Sequence, residues 1–346
     1  MIVRLISLIA LSFAVLAAPV VAEDAIPTPK LQMPIDCELG WNCWIANYVD
    51  HDRTKEAKDY SCKGQTYNAH KGTDFMIRTE RDMQAGVVVT AAADGVVLGA
   101  RDGMKDIDYR KRDRQAIAKK ECGNGLRLRH KDGWVTQYCH LKRNSLKVQK
   151  GDKVHAGDIL GLVGNSGLSI YPHLHFQVEY LDPKLKKRRG AIVDPFVGVA
   201  RNDLCEEGDN PLWLPEVLSQ LDYDPVNIID TGFAATKPKT SGMAKGLYDD
   251  ETLSIRSPKL FLWARMLHVK QGDKVTFSIT DPFGKEIFTY TSEIEKTQAH
   301  RGLYAGMRRP SLNWEKGVYK GEIKLLRQTD GSSGGIFKSE TRISMR

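Results

Sequence analysis

Hydrophobic positions in the middle of the chain come in short alternating runs that are separated by glycine-rich turns. Between about residues 61 and 200 the runs are DFMIR, GVVVTAAADGVVLGAR, GLRLRHKDGWVTQYCHL, DKVHAGDILGLVGNSG and HLHFQVEYLD. Runs this short and this evenly punctuated predict an all-β unit. Residues 102–122 interrupt the pattern with a charged, partly helical stretch, which predicts an exposed loop that could also border a cleft.

A second set of short alternating runs fills residues 225–346 and predicts a smaller β-sandwich of immunoglobulin type. Residues 201–224 are polar and proline-containing, which is typical of a linker. Residues 23–60 have no clear period and hold two of the tryptophans near cysteines, so an irregular segment tied down by disulfides is expected. The fold class predicted is therefore all-β, with an antiparallel, glycine-rich unit followed by a sandwich.

The N-terminus has a different pattern. After Arg4, an apolar run extends from Leu5 to about Ala18, and small residues lead to Ala22 just before an acidic pair. This pattern predicts a secretory signal peptide over residues 1–22. The run is short for a membrane span of about 20 apolar residues. No span is therefore expected after cleavage, and the protein is expected to be periplasmic or secreted.

The charge and cysteine content fit an exported protein. The formal net charge is +8, which attracts polyanions such as cell-wall polymers but equally favours plain solubility. No basic–aromatic nucleic-acid motif is present, so no nucleic-acid partner is expected. The six cysteines form an even set without a C-x-x-C pair, which favours disulfides over a zinc cluster. The hairpin predicted around Asp132 brings Cys122 close to Cys139, so this pair is expected to be linked.

Histidines and one aspartate recur in the predicted strands of the 61–200 unit. His173 and His175 lie two apart and share a strand face. His70 and Asp74 lie four apart, which is two strand periods, and Gly72 between them argues against a helix. Each pair alone is a weak signal, since two surface histidines would give the same spacing.

A catalytic zinc needs three protein ligands and one open position. His70, Asp74 and one of the two histidines at 173 and 175 would supply the ligands. The other histidine of that pair and His140, at the end of the hairpin, would then be available for acid–base work. No H-E-x-x-H sequence is present, so a glutamate base of that type is not expected.

The motifs HKGTD, YCHL, GLVGNSG and HLHF, in this order, resemble the zinc endopeptidases of the lysostaphin/LytM type, peptidase family M23. The resemblance covers about residues 61–200. It implies that His70, Asp74 and His175 hold one Zn²⁺ per chain, whose bound water is the nucleophile. It also implies that His140 and His173 jointly activate that water and stabilise the oxyanion, and that the substrate is a peptide cross-link of peptidoglycan.

This chain departs from the family pattern in two places. Cys139 stands where alanine is more usual before the histidine, which the predicted disulfide explains, and the 102–122 insertion changes the expected cleft. Two other functions compete with the peptidase. One is a non-catalytic wall-binding or hydrolase-activating protein on a peptidase scaffold, which the complete ligand set argues against. The other is a biotinyl or lipoyl carrier, which would need a modifiable lysine turn that is absent.

The remaining histidines and the tryptophans have ordinary interpretations. His130 is expected to be structural, and the tryptophans are expected to be packing residues. The other four histidines are expected at the surface: His51, His155, His268 and His300. The C-terminal unit lacks ligand-spaced pairs and is expected to contribute no chemistry. It is basic, so it is expected to dock onto the wall or a partner, with edge covering of the catalytic sheet as the alternative.

Overall fold

The fold is nearly all β, which confirms the predicted class. A computed structural model describes residues 27–111, 113–182, 190–199, 205–328 and 334–346. The predicted signal peptide, 1–22, lies outside the described residues. Three short α-helices occur in the described ranges, and none of the helices there has the length and hydrophobicity needed to cross a membrane.

The first part of the chain forms one large antiparallel sheet and a small one. Its strands are β1 (Cys43–Asn47), β2 (Thr73–Ile77), β3 (Val88–Thr90), β4 (Gly95–Arg101), β5 (Asn124–Arg129), β6 (Trp134–Leu141), β7 (Lys153–Val154), β8 (Ile159–Leu162), β9 (His173–Tyr180) and β10 (Ala191–Val193). The large sheet has the order β1-β2-β9-β6-β5-β4-β7, with β10 also paired to β9, and β3 pairs with β8. Helix α1 (Glu80–Ala85) follows β2, and short 3₁₀ turns span Tyr109–Lys111, Arg114–Ile117 and Lys131–Gly133.

Strand β9 shows why this sheet has one apolar and one polar face. Leu174, Phe176 and Val178 alternate along it and are fully buried in the main core. The intervening residues His173, His175, Gln177 and Glu179 point to the opposite face, as the period of two requires. The sheet therefore presents its histidines on a face that the core does not fill.

The N-terminal segment contains more structure than its sequence predicted. Strand β1 pairs with β2 and forms the edge of the large sheet. All five of its residues are buried, because both of its faces are covered: Cys43 and Ile45 belong to the main core, whereas Trp44 and Ala46 belong to a second cluster. A strand buried on both faces lacks the polar alternation that would reveal it in the sequence.

The C-terminal unit is a two-sheet sandwich. Its strands are β11 (Asn227–Ala234), β12 (Thr252–Leu253), β13 (Lys259–Val269), β14 (Lys274–Thr280), β15 (Glu286–Glu293), β16 (Gln298–Arg308), β17 (Gly317–Arg327) and β18 (Gly335–Met345). The sheets have the orders β11-β13-β16 and β12-β18-β17-β14-β15, and they enclose a separate core. Helix α2 (Pro215–Leu218) precedes the sandwich, and α3 (Thr240–Lys245) follows β11. The immunoglobulin-type connectivity and the domain boundaries stay predictions.

The sandwich packs directly against β1 and the turn before β9. Ile229 and Leu267 of the sandwich join Trp44 and Met76 in one buried cluster, and Tyr171 packs against it. On the same side, Arg265 Nη1 donates to the carbonyl oxygen of Arg78 at 2.5 Å. The sandwich therefore covers the edge of the large sheet.

All six cysteines are paired. The link between Cys122 and Cys139 confirms the pair predicted from the hairpin. Cys37 is bonded to Cys43, which fixes the chain where it enters β1, and the remaining bridge joins Cys62 to Cys205.

Candidate metal and catalytic site

Three side chains converge at the polar face of the large sheet. Asp74 on β2 lies directly opposite His175 on β9, and His70 lies in the turn that leads into β2. Asp74 Oδ1 is 2.8 Å from His175 Nδ1 and 3.1 Å from His70 Nε2, and the two nitrogens are 3.1 Å apart. Three potential ligand atoms thus point at one position.

This arrangement fits a small tetrahedral cation. Ligand atoms at about 2.0 Å from a tetrahedral Zn²⁺ lie roughly 3.3 Å from one another, close to the separations seen here. Two imidazoles and a carboxylate are a donor set that zinc accepts. Within the described ranges, His70, Asp74 and His175 are the one group of histidine, cysteine and acidic side chains that has this geometry.

The ligands are oriented by Asn47, at the end of β1, and by the adjacent Tyr48, both of which sequence reasoning missed. His70 Nδ1 donates to the carbonyl oxygen of Tyr48 at 2.6 Å, which leaves its Nε2 lone pair facing Asp74. Asn47 Nδ2 donates to Asp74 Oδ2 at 2.9 Å, so the other oxygen is free for a metal. Neither contact has a signal in the sequence, because β1 lies more than twenty residues from both ligands.

The electrostatics of the site favour a charged carboxylate among histidines. Burial raises the pKa of Asp74, but the charges and hydrogen bonds of the neighbouring histidines outweigh it and hold the pKa well below its usual range. Burial lowers the pKa of His70, yet the adjacent Asp74 outweighs this effect and raises it. An anionic carboxylate is the form that binds a cation.

Gly72 allows the turn before β2 to approach β9. A Cβ atom at this position would lie 2.5 Å from the carbonyl oxygen of Phe176 and 2.8 Å from His175 Cε1. Such distances are too short for any side chain. The glycine in HKGTD is therefore required for His70 and His175 to reach the same point.

His140 and His173 lie beside the three candidate ligands, and both rings carry their proton at Nδ1. His140 Nδ1 donates to the carbonyl oxygen of Ser166 at 2.7 Å, and His173 Nδ1 donates to that of Tyr171 at 2.9 Å. Their Nε2 atoms therefore carry free lone pairs. The two rings are 4.6 Å apart between centroids, and His173 Nε2 lies 3.7 Å from Asp74 Oδ1.

Both of these histidines are held as neutral bases. Burial, reinforced by His173 and His175, keeps the pKa of His140 well below its usual value. Burial likewise lowers the pKa of His173, although Asp74 opposes the effect. A neutral imidazole with a free Nε2 can accept a proton and can later return it.

The backbone of His140 is strained. Its φ of 65° lies in the left-handed region, which costs a non-glycine residue about 1–3 kcal/mol. His140 N donates to the carbonyl oxygen of Cys122 at 2.8 Å, and the Cys122–Cys139 disulfide closes the same corner. These links hold a conformation that the residue would otherwise avoid.

A cleft of about 630 Å³ opens over the site. His70, His140 and His175 line it, together with Arg127 of β5 and Gln177 of β9. Lys119 and Glu121 of the 102–122 insertion line it as well, so the expectation that this insertion borders a cleft is confirmed.

The remaining histidines divide into confirmed and corrected predictions. His130 is structural, with bonds to the Asp94 carbonyl and to Thr136, and His155 is exposed. His51 is not a free surface residue, because its Nε2 bonds Asp194 Oδ2 at 2.7 Å. His268 and His300 were also expected at the surface, and this is wrong. His268 is buried, and His300 packs on Tyr171 with ring centroids 4.5 Å apart.

Comparisons with known proteins agree with this site. The profile of the family described as Peptidase family M23 matches residues 68–195. An uncharacterized metalloprotease of Buchnera aphidicola is 31% identical over 128 residues, which are 36% of this chain and 28% of that protein. Peptidoglycan DD-endopeptidase ShyA of Vibrio cholerae is 33% identical over 109 residues, which are 32% of this chain and 20% of that protein.

Among solved structures, the catalytic domain of lysostaphin from Staphylococcus simulans is 23% identical and has a TM-score of 0.28, with 45% of this chain and 89% of that chain covered. The matched part of this chain spans 28% of the Buchnera protein and 20% of ShyA. The matched region contains all five histidine and aspartate positions of the site. Residues 68–195 of this chain are a domain of peptidase family M23.

Proposed function

We propose that the protein is a zinc metallo-endopeptidase that hydrolyses peptide cross-links of peptidoglycan. The observation that carries the proposal is the convergence of His70 Nε2, Asp74 Oδ1 and His175 Nδ1, with two further neutral imidazoles beside them. The names of related proteins support the same activity, since ShyA is a peptidoglycan DD-endopeptidase.

In this proposal His70, Asp74 and His175 are the ligands of one Zn²⁺. When bound, the ion would supply Lewis acidity toward a peptide carbonyl and would lower the pKa of a water molecule to about 7. The protein contributes a preset ligand geometry, because Tyr48 and Asn47 fix the ring of His70 and the carboxylate of Asp74 before any ion arrives.

His140 and His173 would handle the protons of the reaction. Their Nδ1 atoms are occupied by backbone carbonyls, so each can take up a proton only at Nε2, on the side of the metal ligands. Once protonated, either imidazole can donate a hydrogen bond to the oxyanion or a proton to the leaving amine. The geometry favours this shared role without dividing the two tasks.

The cleft and the disulfides support the proposed substrate and compartment. An open cleft along a sheet face suits an extended peptide rather than a small molecule. Three disulfides favour an oxidising compartment. We therefore propose a periplasmic or secreted enzyme that acts on the peptide part of the wall.

The test separates metal binding from turnover. We expect His70→Ala, Asp74→Ala and His175→Ala each to lose most bound zinc, because a three-ligand site cannot keep its geometry with two. We expect His140→Ala and His173→Ala to retain one zinc and to lose about 10²-fold or more in turnover of purified sacculi. His155→Ala, at an exposed position, is the matched control.

Two results would contradict the proposal. Stoichiometric zinc in all three ligand variants would reject the metal assignment. A wild-type protein that binds zinc but releases no muropeptides from sacculi would favour the non-catalytic wall-binding alternative.

A further inference from the structure

Tyr171 lies at the junction of the candidate site and the C-terminal sandwich. Its ring is 4.8 Å from that of His173 on one side and 4.5 Å from that of His300 on the other. His300 is on β16 of the sandwich, whereas Tyr171 lies in the turn that leads into β9. A residue of the C-terminal unit is thus one aromatic ring away from a candidate catalytic histidine.

The hydroxyl of Tyr171 reaches a metal ligand through Asn47. Asn47 Nδ2 donates to Tyr171 Oη at 3.1 Å and to Asp74 Oδ2 at 2.9 Å. An ionised carboxylate can only accept, so the nitrogen of this amide must face Asp74. Both amide protons of Asn47 are then used. Loss of the Tyr171 hydroxyl would therefore remove one of the two hydrogen bonds that hold this amide.

The backbone carbonyl of Tyr171 contacts His173, one of the two candidate catalytic histidines. Its carbonyl oxygen accepts from His173 Nδ1 at 2.9 Å and from Ser169 Oγ at 2.8 Å. The first bond sets the tautomer that leaves His173 Nε2 free. Tyr171 therefore reaches Asp74 through its hydroxyl and Asn47, and it contacts His173 through both its ring and its main-chain carbonyl.

The sandwich holds Tyr171 from behind. Tyr171 packs against the buried cluster that joins Trp44 and Met76 to Ile229 and Leu267. His300 lies directly across from Leu267 in the pairing of β16 with β13. The position of Tyr171 is therefore set by the contact between the two units.

We propose that Tyr171 is a positioning residue through which the C-terminal sandwich, by way of His300, holds Asp74 and His173 in their working orientations. In this proposal the sandwich is a structural part of the site. The claim about His173 rests on the proposed function, whereas the claim about Asp74 concerns zinc binding alone.

The test measures zinc affinity of the full-length chain by competition with a chromogenic chelator. We expect Asn47→Ala to weaken zinc binding by about 10–100-fold, the range typical of lost outer-shell partners. Tyr171→Phe keeps the ring but removes the hydroxyl, and we expect roughly a tenfold loss. His300→Ala should weaken binding several-fold, and His300→Phe, which restores an aromatic ring against Tyr171, should recover most of it.

The catalytic readout is independent of the metal readout. At saturating zinc, His300→Ala should lower kcat on a soluble cross-linked peptide with little change in KM, because the substrate cleft is untouched. His155→Ala should match wild type in both measurements. If His300→Ala does not fold, Tyr171→Phe and His300→Phe still test the proposal.

Wild-type zinc affinity in Tyr171→Phe, or equal affinity in His300→Ala and His300→Phe, would overturn the inference. A wild-type protein that cleaves no peptide, while the variants show the expected order of zinc affinities, would reject the proposed function and leave the positioning of Asp74 intact.

Discussion

Removal of the Cys122–Cys139 disulfide should damage chemistry more than its effect on stability would suggest. The bond links residues 17 apart, and the chain-entropy relation gives about 3 kcal/mol of stabilisation for a loop of that size. The Cys62–Cys205 bond links residues 143 apart, for which the same relation gives about 5 kcal/mol. By loop size alone, the second bond matters more to the free energy of unfolding.

The order should reverse for turnover. Cys139 immediately precedes His140, whose left-handed backbone costs about 1–3 kcal/mol and persists because its surroundings hold it. The hydrogen bond from His140 N to the Cys122 carbonyl would remain after the thiols are replaced, so the loss is partial. If about 1.4 kcal/mol of strain is relieved by movement of His140, kcat should fall about tenfold.

The assay compares two paired alanine variants, Cys122→Ala with Cys139→Ala and Cys62→Ala with Cys205→Ala. Urea unfolding gives the free energy of each, and cleavage of a soluble cross-linked peptide, measured where both are folded, gives kcat. We expect the variant without the Cys122–Cys139 bond to lose less stability but to fall about tenfold in kcat. The variant without the Cys62–Cys205 bond should lose more stability, while its kcat should fall by less than about twofold. Equal kcat values in the two variants would refute the link between the disulfide and His140.

Two further predictions follow from buried positions. Gly72→Ala should weaken zinc binding and destabilise the fold by about 1–3 kcal/mol, because the new methyl group would clash with the Phe176 carbonyl and the ring of His175. Unchanged zinc affinity in a chelator titration would contradict this prediction. Burial raises the pKa of Asp230 to about 7, against the opposing charge of Arg265, so the folded state binds more protons than the unfolded state below that pH. The free energy of unfolding of wild type, relative to Asp230→Asn, should therefore rise by about 3 kcal/mol from pH 8 to pH 5, and a flat difference in urea unfolding would exclude this effect.

Part of the candidate site could be predicted from spacing, because His173 and His175 lie two apart on one strand. The shared face of these two side chains follows from spacing alone, whereas His70 lies in the turn before β2, and the choice of His175 as the ligand rested on the resemblance to peptidase family M23. The sequence also predicted the pairing of Cys122 with Cys139, because a tight hairpin fixes which residues face each other. Local rules were sufficient for the shared face of the two histidines and for this disulfide.

The residues that support the site could not be predicted in this way. Asn47 acts on Asp74 from a strand whose faces are both buried, so it shows no period, and His300 acts from a separate unit more than a hundred residues away. Each lacks a partner at a local spacing, which is why His300 was expected at the surface. Contacts of this kind depend on how the sandwich packs against β1, and no short-range pattern encodes that packing.

That packing changes how the C-terminal unit should be understood. Its basic sequence suggested docking onto the wall or a partner, with edge covering of the catalytic sheet as the alternative. Removal of residues 225–346 would uncover Trp44 and Met76, which the sandwich buries, and would free one side of Tyr171. Docking stays a prediction, but it cannot be tested by truncation, because lost activity would follow from the exposed β1 edge and the released Tyr171. Charge reversals on the exposed face of the sandwich, away from this contact, would separate docking from support of the site.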